Sequence, residues 1–293
     1  MKLKQLRRLM MSKIGIAVCG NSGIDYAVHD KRIRVFRSLL IVEEKEYEDF
    51  IEINADDFYK TLVERPNIDV HTAQTSTGAI LKMYEEMKAD GYDEIICITI
   101  SSHLSGTYQN AVLAAKMMED TPVHVFDSRT LSAVEAKMAF TALKMSDAGK
   151  TVQEILSELE FIRDHHHIFV TVETLHFLVK NGRLSNAAGF FGTMLKLKPL
   201  LEVSKEGKVV TVDKIRTTQK ARDTMLAKFT DEIKGKNVEI FIIYTNNFDE
   251  AADLKDRMME NPEIKDIKLV PLTPVVGCHA GPGTMGLGYI EVK

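Results

Sequence analysis

The chain has 293 residues, a length that suggests two α/β-sized domains rather than one ordinary core. Hydrophobic residues make up 45% and charged residues 27% of the sequence, which is typical of a globular protein with a buried interior. The net charge of −4 gives no electrostatic reason to expect nucleic-acid binding, and no apolar run is long enough to span a membrane. We therefore expect a cytoplasmic protein without stable membrane insertion.

Short apolar runs alternate with helix-patterned segments along the first half of the chain. Before them, residues 1–12 are basic but lack the apolar core of a signal peptide, and we interpret them as an N-terminal extension ahead of a natural start near Met11. The pattern predicts strands at 13–18, 34–42, 94–100 and 123–126, and helices at 54–64, 80–87, 108–118, 131–145 and 151–165. This alternation is typical of a doubly wound, mainly parallel α/β sheet, in which ligands gather beyond the carboxyl ends of the strands.

The second half has a different pattern of predicted strands and helices. The pattern predicts strands at 169–172, 200–203, 208–214, 238–244, 268–276 and 287–292, and helices at 173–180, 186–195, 217–234 and 249–259. We place one boundary near residue 160, which gives an N-terminal α/β domain at 13–160 and a C-terminal α/β domain at 161–293. Cys19, Cys97 and Cys278 are odd in number and widely spaced, so we expect small core residues rather than disulfides or metal ligands.

The stretch 95–110, IICITISSHLSGTYQN, is the strongest candidate binding segment. A buried strand ends in two serines, and Ser-Gly-Thr follows just before a helical pattern begins. Hydroxyls and free backbone N–H groups at the start of a helix favour an anion, which makes Ser102, Ser105 and Gly106 candidate ligand contacts. Helix capping is the alternative, and it explains one of the serines better than both.

Four segments together resemble the DegV family: ISSHLSGTYQNA, VETLHFLVKNGRLSNAAGFFGTMLKLKPLLEV, KIRTTQKA and VVGCHAGPGTMGLGY. The resemblance runs from about residue 13 to the C-terminus. It implies two α/β domains, the second with a mixed sheet, and a long-chain fatty acid held between them. It further implies a non-catalytic subunit without a cofactor, which presents the fatty-acid carboxylate to the catalytic subunit of a fatty acid kinase and serves an acyltransferase of phospholipid synthesis.

The family pattern places the carboxylate contacts at Thr72, Ser102 and His279. Thr72 is expected in a loop between a strand-like segment and a helix, and His279 in a loop flanked by Gly-Pro-Gly. A turn hydroxyl and a structural loop histidine are the alternatives for these two residues. Arg183 is expected near the site or on a partner surface, with a salt-bridged arginine as the alternative.

The tail of such a ligand needs an apolar slot, and one segment supplies large apolar residues beside small ones. Its candidates are Phe190, Phe191, Met194 and Leu195. Ordinary domain core is the alternative. Burying a methylene contributes about 0.8 kcal/mol, so a sixteen-carbon tail gains on the order of 10 kcal/mol before ordering costs.

An enzyme remains the competing interpretation. Ser102 or Ser105 as nucleophile with His279 as base describes a hydrolase, and His279 alone describes a phosphotransfer protein. The sequence contains neither a G-x-S-x-G elbow nor a GxxxxGK[ST] phosphate loop.

The chain also departs from the family pattern at Asn21, Ala73 and Thr75, which we expect to affect the mouth of the pocket.

One further histidine-rich motif needs an interpretation. His165, His166 and His167 are consecutive, and consecutive residues cannot all face one metal ion. We expect them to form an exposed helix end.

Overall fold

A computed structural model describes residues 12–185 and 197–293. Its strands are β1 Ile14–Cys19, β2 Ile33–Phe36, β3 Leu39–Val42, β4 Lys45–Glu48, β5 Val70–Ala73, β6 Glu94–Thr99, β7 Val123–Asp127, β8 His166–Thr171, β9 Leu200–Val203, β10 Val209–Asp213, β11 Val238–Tyr244, β12 Ile267–Pro271 and β13 Met285–Glu291. Its α-helices are α1 Ala55–Glu64, α2 Thr77–Ala89, α3 Thr107–Met117, α4 Ser132–Asp147, α5 Val152–Asp164, α6 His176–Lys180, α7 Thr218–Ile233, α8 Phe248–Met259 and α9 Pro274–Ala280. The proposed extension at 1–12 lies, apart from its last residue, outside the described residues.

The described residues form two compact units that do not follow a single cut in the sequence. The first unit contains residues 12–37 and Gln74–Arg163, and the second contains Ser38–Ala73 and Asp164–Lys293. The chain changes unit after Arg37, Ala73 and Arg163, so Ser38–Ala73 belongs with the C-terminal part of the chain. The single boundary near residue 160 stays a prediction.

The first unit is built on a parallel four-stranded sheet with the order β2-β1-β6-β7. Both central strands are buried on both faces, as their nearly continuous apolar sequences require. Ala17 and Cys97 pack with α2 and α3 on one face, while α4 lies against β1. This confirms the predicted parallel α/β architecture and brings the carboxyl ends of β1, β6 and β7 to one edge of the sheet.

The second unit contains a mixed six-stranded sheet with the order β10-β9-β8-β13-β11-β12. Only β11 and β12 pair in parallel within this sheet; the other neighbouring strands are antiparallel. Phe229 of α7 and Leu254 of α8 pack with Ile240, Ile242 and Leu287 of the sheet in one apolar cluster. The mixed sheet is the one that the resemblance implied.

A smaller antiparallel sheet, β4-β3-β5, also belongs to the second unit. Helix α1 begins where the sequence predicted, because the Asn54 side chain accepts a 2.9 Å hydrogen bond from the Asp57 N–H. Helix α9 contacts α1, α6, β3 and β5. Two site residues therefore lie on different elements from those predicted: Thr72 is in strand β5, and His279 is in helix α9.

The three cysteines are free and buried, which confirms their assignment to the core. No helix in the described ranges has the length and apolar character that a membrane span requires. In the same ranges, no group of three or more histidine, cysteine or carboxylate side chains is arranged to hold a metal ion.

Candidate functional site

The backbone amides of the serine loop after β6 are already hydrogen-bonded within the first unit. The Ser102 N–H donates to Asp127 Oδ1 at 3.1 Å, and the His103 N–H donates to Ser101 Oγ at 3.2 Å. The amides of Leu104 and Ser105 both donate to the Ser101 carbonyl. The expectation that this stretch offers free N–H groups to an anion is therefore wrong for residues 102–105.

Ser102 and Ser105 differ in what their hydroxyls do. Ser105 Oγ accepts from the Thr107 N–H at 3.3 Å and lies 2.9 Å from Thr107 Oγ1, so it caps the start of α3. Ser102 Oγ has no hydrogen-bond partner among the described residues, and Ser102 is half-buried. The Ser105 hydroxyl is thus engaged at the start of α3, whereas the Ser102 hydroxyl is not.

Gly106 has a packing role in the same loop. A Cβ atom at this position would meet the terminal amide of Gln74, so any other residue requires the Gln74 side chain to move. Asn110 Nδ2 also donates to the Thr75 carbonyl at 2.8 Å, and Thr75 Oγ1 donates to the Arg37 carbonyl at 2.7 Å. The loop that begins at Gln74 is therefore fixed against the start of α3.

Thr72 and His279, which are 207 positions apart in the sequence, form a direct side-chain pair in the second unit. Thr72 Oγ1 lies 2.9 Å from His279 Nε2. The other ring nitrogen of His279, Nδ1, is buried and has no hydrogen-bond partner among the described residues. The structure therefore brings together two of the three predicted head-group residues.

Burial lowers the pKa of His279 to about 4, and the positive charge of Arg183 adds to this effect. The imidazole is consequently neutral at pH 7 and carries one proton. Arg183 itself donates to the Asn181 carbonyl, and Asn181 Nδ2 donates to the Cys278 carbonyl at 3.2 Å. The turn that contains Arg183 is thus attached to α9, and its charge acts on the histidine.

Helix α9 is held in place by a buried tyrosine that the sequence did not identify. The Tyr59 hydroxyl donates to the Leu272 carbonyl at 2.9 Å, just before α9 begins with Pro274 at its first turn. A Cβ atom at position 277 would lie 2.0 Å from the Tyr59 hydroxyl oxygen, which explains the glycine there. Helix α9 ends at Ala280, and the next residue, Gly281, has a φ of 81°, which favours glycine.

Asp127, the last residue of β7, was not among the predicted site residues. Its Oδ1 accepts from the Arg129 N–H at 3.0 Å. The same oxygen also accepts from the Ser102 N–H. The signal available in the sequence was that polar residues begin at Ser101 and at Asp127, directly after the strands predicted at 94–100 and 123–126.

Two other groups of predicted residues have different outcomes. The proposed tail residues Phe190, Phe191, Met194 and Leu195, and the helix predicted at 186–195, lie outside the described residues. The histidine motif is not a helix end, because α5 ends at Asp164 and β8 begins at His166. His167 lies between two carboxylates, with Nδ1 2.7 Å from Glu232 and Nε2 3.1 Å from Glu202.

Comparisons with known proteins agree on one family. Residues 16–292 match the family model described as "Uncharacterised protein, DegV family". A DegV domain-containing protein of Staphylococcus aureus is 32% identical over 85% of this chain and 86% of its own length. A fatty-acid-binding DegV family protein from Thermus thermophilus is 28% identical with a TM-score of 0.85, covering 96% of this chain and 100% of the other.

A second structural neighbour gives the same picture. It is DegV, a fatty-acid-binding protein from Bacillus subtilis, which is 26% identical with a TM-score of 0.85 and the same coverage of both chains. The match of the family model to nearly the whole chain, together with the relative that is more than 30% identical, is decisive. The chain belongs to the DegV family.

Proposed function

We propose that this protein binds a long-chain fatty acid and contacts its carboxylate through Thr72, His279 and Ser102. The two structural neighbours at 28% and 26% identity are fatty-acid-binding proteins, and they match this chain over nearly its whole length. The observation on this chain that supports the proposal best is the 2.9 Å pair of Thr72 and His279. Ser102 contributes a hydroxyl without a described partner.

The Thr72–His279 pair is chemically suited to a carboxylate. Since the imidazole is neutral, its single proton lies on either Nδ1 or Nε2. With the proton on Nε2, the ring donates to Thr72 Oγ1, and the threonine hydroxyl hydrogen is left to donate to a carboxylate oxygen. An anion favours this arrangement because each hydrogen bond to the charged head group contributes about 1.5–3 kcal/mol.

The tail supplies most of the affinity in this proposal. A sixteen-carbon chain gains on the order of 10 kcal/mol from burial, several times the contribution of one head-group hydrogen bond. Phe190, Phe191, Met194 and Leu195 are the proposed tail contacts. The hydroxyls and the histidine then set the register of the ligand and the position of its carboxylate.

The protein itself performs no chemistry in this proposal. It presents the bound carboxylate to the catalytic subunit of a fatty acid kinase, which forms the acyl phosphate that an acyltransferase of phospholipid synthesis uses. Arg183 is the proposed positive contact for the ligand or the kinase. The hydrolase and phosphotransfer alternatives require the isolated protein to convert its ligand chemically. A carrier is expected to bind the ligand without converting it.

Binding of palmitate and of its methyl ester to the delipidated protein tests the proposal. A carboxylate site predicts that the ester binds at least about tenfold more weakly, because esterification removes the charge that strengthens the hydrogen bonds. We expect Thr72→Val and Ser102→Ala each to weaken palmitate binding about tenfold and to weaken ester binding much less.

The control is Ser105→Ala, which removes a serine of the same loop whose hydroxyl caps α3. This variant should bind palmitate like the wild type. Equal affinity for acid and ester would contradict the carboxylate site. Hydrolysis of the ester by the wild-type protein, lost in Ser102→Ala, would establish the hydrolase instead.

A further inference from the structure

Three hydrogen bonds with backbone N–H donors connect the serine loop after β6 to the end of β7 and the loop that follows it. The Ser101 N–H donates to the Thr130 carbonyl at 2.9 Å, and the Ser128 N–H donates to the Thr99 carbonyl at 3.2 Å. In addition, the Ser102 N–H donates to the Asp127 carboxylate. In the described part of the chain, Asp127 is thus the one residue whose side chain accepts a hydrogen bond from the Ser102 amide.

The loop after β7 is shaped around the same carboxylate oxygen. Asp127 Oδ1 accepts from the Arg129 N–H at 3.0 Å as well as from the Ser102 N–H at 3.1 Å. Arg129 has a φ of 52°, a left-handed conformation that is uncommon for residues other than glycine. Because one oxygen holds both amides, the position of Ser102 is coupled to the conformation of this turn.

The hydrogen bond from the Ser102 N–H to Asp127 limits the donors that Ser102 can provide for a ligand. A backbone N–H that is bound to a carboxylate does not donate to a second anion, so the Ser102 hydroxyl is the donor that remains. Because the backbone of Ser102 is held in place, the point from which its side chain extends is held in place as well. A displacement of about 1 Å at this point is enough to misalign a head-group hydrogen bond.

We propose that Asp127 is a positioning residue for the ligand carboxylate: it holds the backbone of Ser102 so that the Ser102 hydroxyl is the group that meets the ligand. The inference rests on the proposed function of fatty-acid binding. It assigns no direct ligand contact to Asp127. The effect of Asp127 on binding must therefore act through Ser102, and this is what separates the inference from a general structural role.

A double-mutant cycle with palmitate as the probe tests the coupling. Asp127→Ala should weaken binding about tenfold in the wild-type background and less than about twofold in the Ser102→Ala background. Asp127→Asn keeps an oxygen acceptor at the same place and should stay within about threefold of the wild type. Asp120→Asn is the matched control, because this exposed carboxylate in the same unit pairs with Lys88.

A second readout needs no ligand. Hydrogen exchange at the Ser102 amide should be at least about tenfold faster in Asp127→Ala than in the wild type and close to wild type in Asp120→Asn. Equal losses of palmitate affinity in both backgrounds, or unchanged exchange at Ser102, would overturn the positioning role. A wild-type protein that binds no palmitate would refute the proposed function instead, and the exchange result would still decide whether Asp127 holds Ser102.

Discussion

Glu135 is predicted to make the folded protein less stable as the pH rises, and replacing it by glutamine should remove this penalty. The side chain is fully buried on α4, and neither carboxyl oxygen has a hydrogen-bond partner among the described residues. Burial raises the pKa of Glu135 well above its usual value of 4.5, and the nearby charge of Asp127 raises it further. The folded protein therefore keeps this carboxyl protonated where the unfolded chain ionises it.

The size of the effect follows from proton linkage. Above about pH 4.5, folding takes up one proton at Glu135, so stability falls by about 1.4 kcal/mol per pH unit until the pH reaches the folded-state pKa. The total loss is therefore about 1.4 kcal/mol for each pH unit by which the folded-state pKa exceeds 4.5. Glu135→Gln has nearly the same shape and no ionisation, so it should match the wild type near pH 4.5 and exceed its stability by up to that amount at pH 7.

Urea unfolding of both proteins at several pH values between about 4.5 and 8 measures this difference. The control is Glu85→Gln, which makes the same substitution at an exposed glutamate of α2 in the same unit. If the stability of Glu135→Gln relative to the wild type stays constant over the range, Glu135 is ionised in the folded state and the reasoning is refuted.

Three further predictions concern the second unit. Tyr59→Phe should destabilise the protein by about 1–2 kcal/mol in thermal unfolding, because it leaves the Leu272 carbonyl without its donor; an unchanged melting temperature would show that this bond contributes nothing. The His279 ring, observed by NMR, should not titrate between about pH 5.5 and 8 without ligand, and palmitate should raise its pKa, since a nearby anion favours the protonated form. Burial lowers the pKa of His167, but hydrogen bonds to its two carboxylate partners outweigh this and raise it, so its stabilising contribution is present below about pH 6.5 and is lost as the pH rises through the folded-state pKa. His167→Gln should therefore cost about 1–3 kcal/mol near pH 6 and less near pH 9, and a cost that does not change with pH would contradict the charged histidine.

The sequence predicted best those elements whose signals are local. Asn54 and Pro66 bracket a helix with apolar residues at helical spacing, and α1 begins and ends between them. The strand at β6 is a continuous apolar run that stops at polar residues, so both its type and its end could be predicted. The two-serine turn after it was located correctly for the same reason.

Long-range pairing decided what the sequence could not predict. Strand β5 is short and rich in polar residues, and it exists because it pairs with β3, so Thr72 was expected in a loop. Helix α9 contains Gly277 and is followed by another glycine, which favoured a loop at His279; Tyr59 packs where the glycine leaves space. Neither the partner of Thr72 nor that of Ser102 can be found from spacing along the chain.

Lipid extraction and native mass spectrometry of the purified wild-type protein show whether it binds a fatty acid at all. We expect close to one long-chain fatty acid per chain, reduced occupancy in the Ser102→Ala, His279→Ala double variant, and an unchanged far-ultraviolet circular dichroism spectrum in that variant. A wild-type protein that carries no fatty acid after purification, and that takes up none when palmitate is added, would contradict the proposed fatty-acid binding.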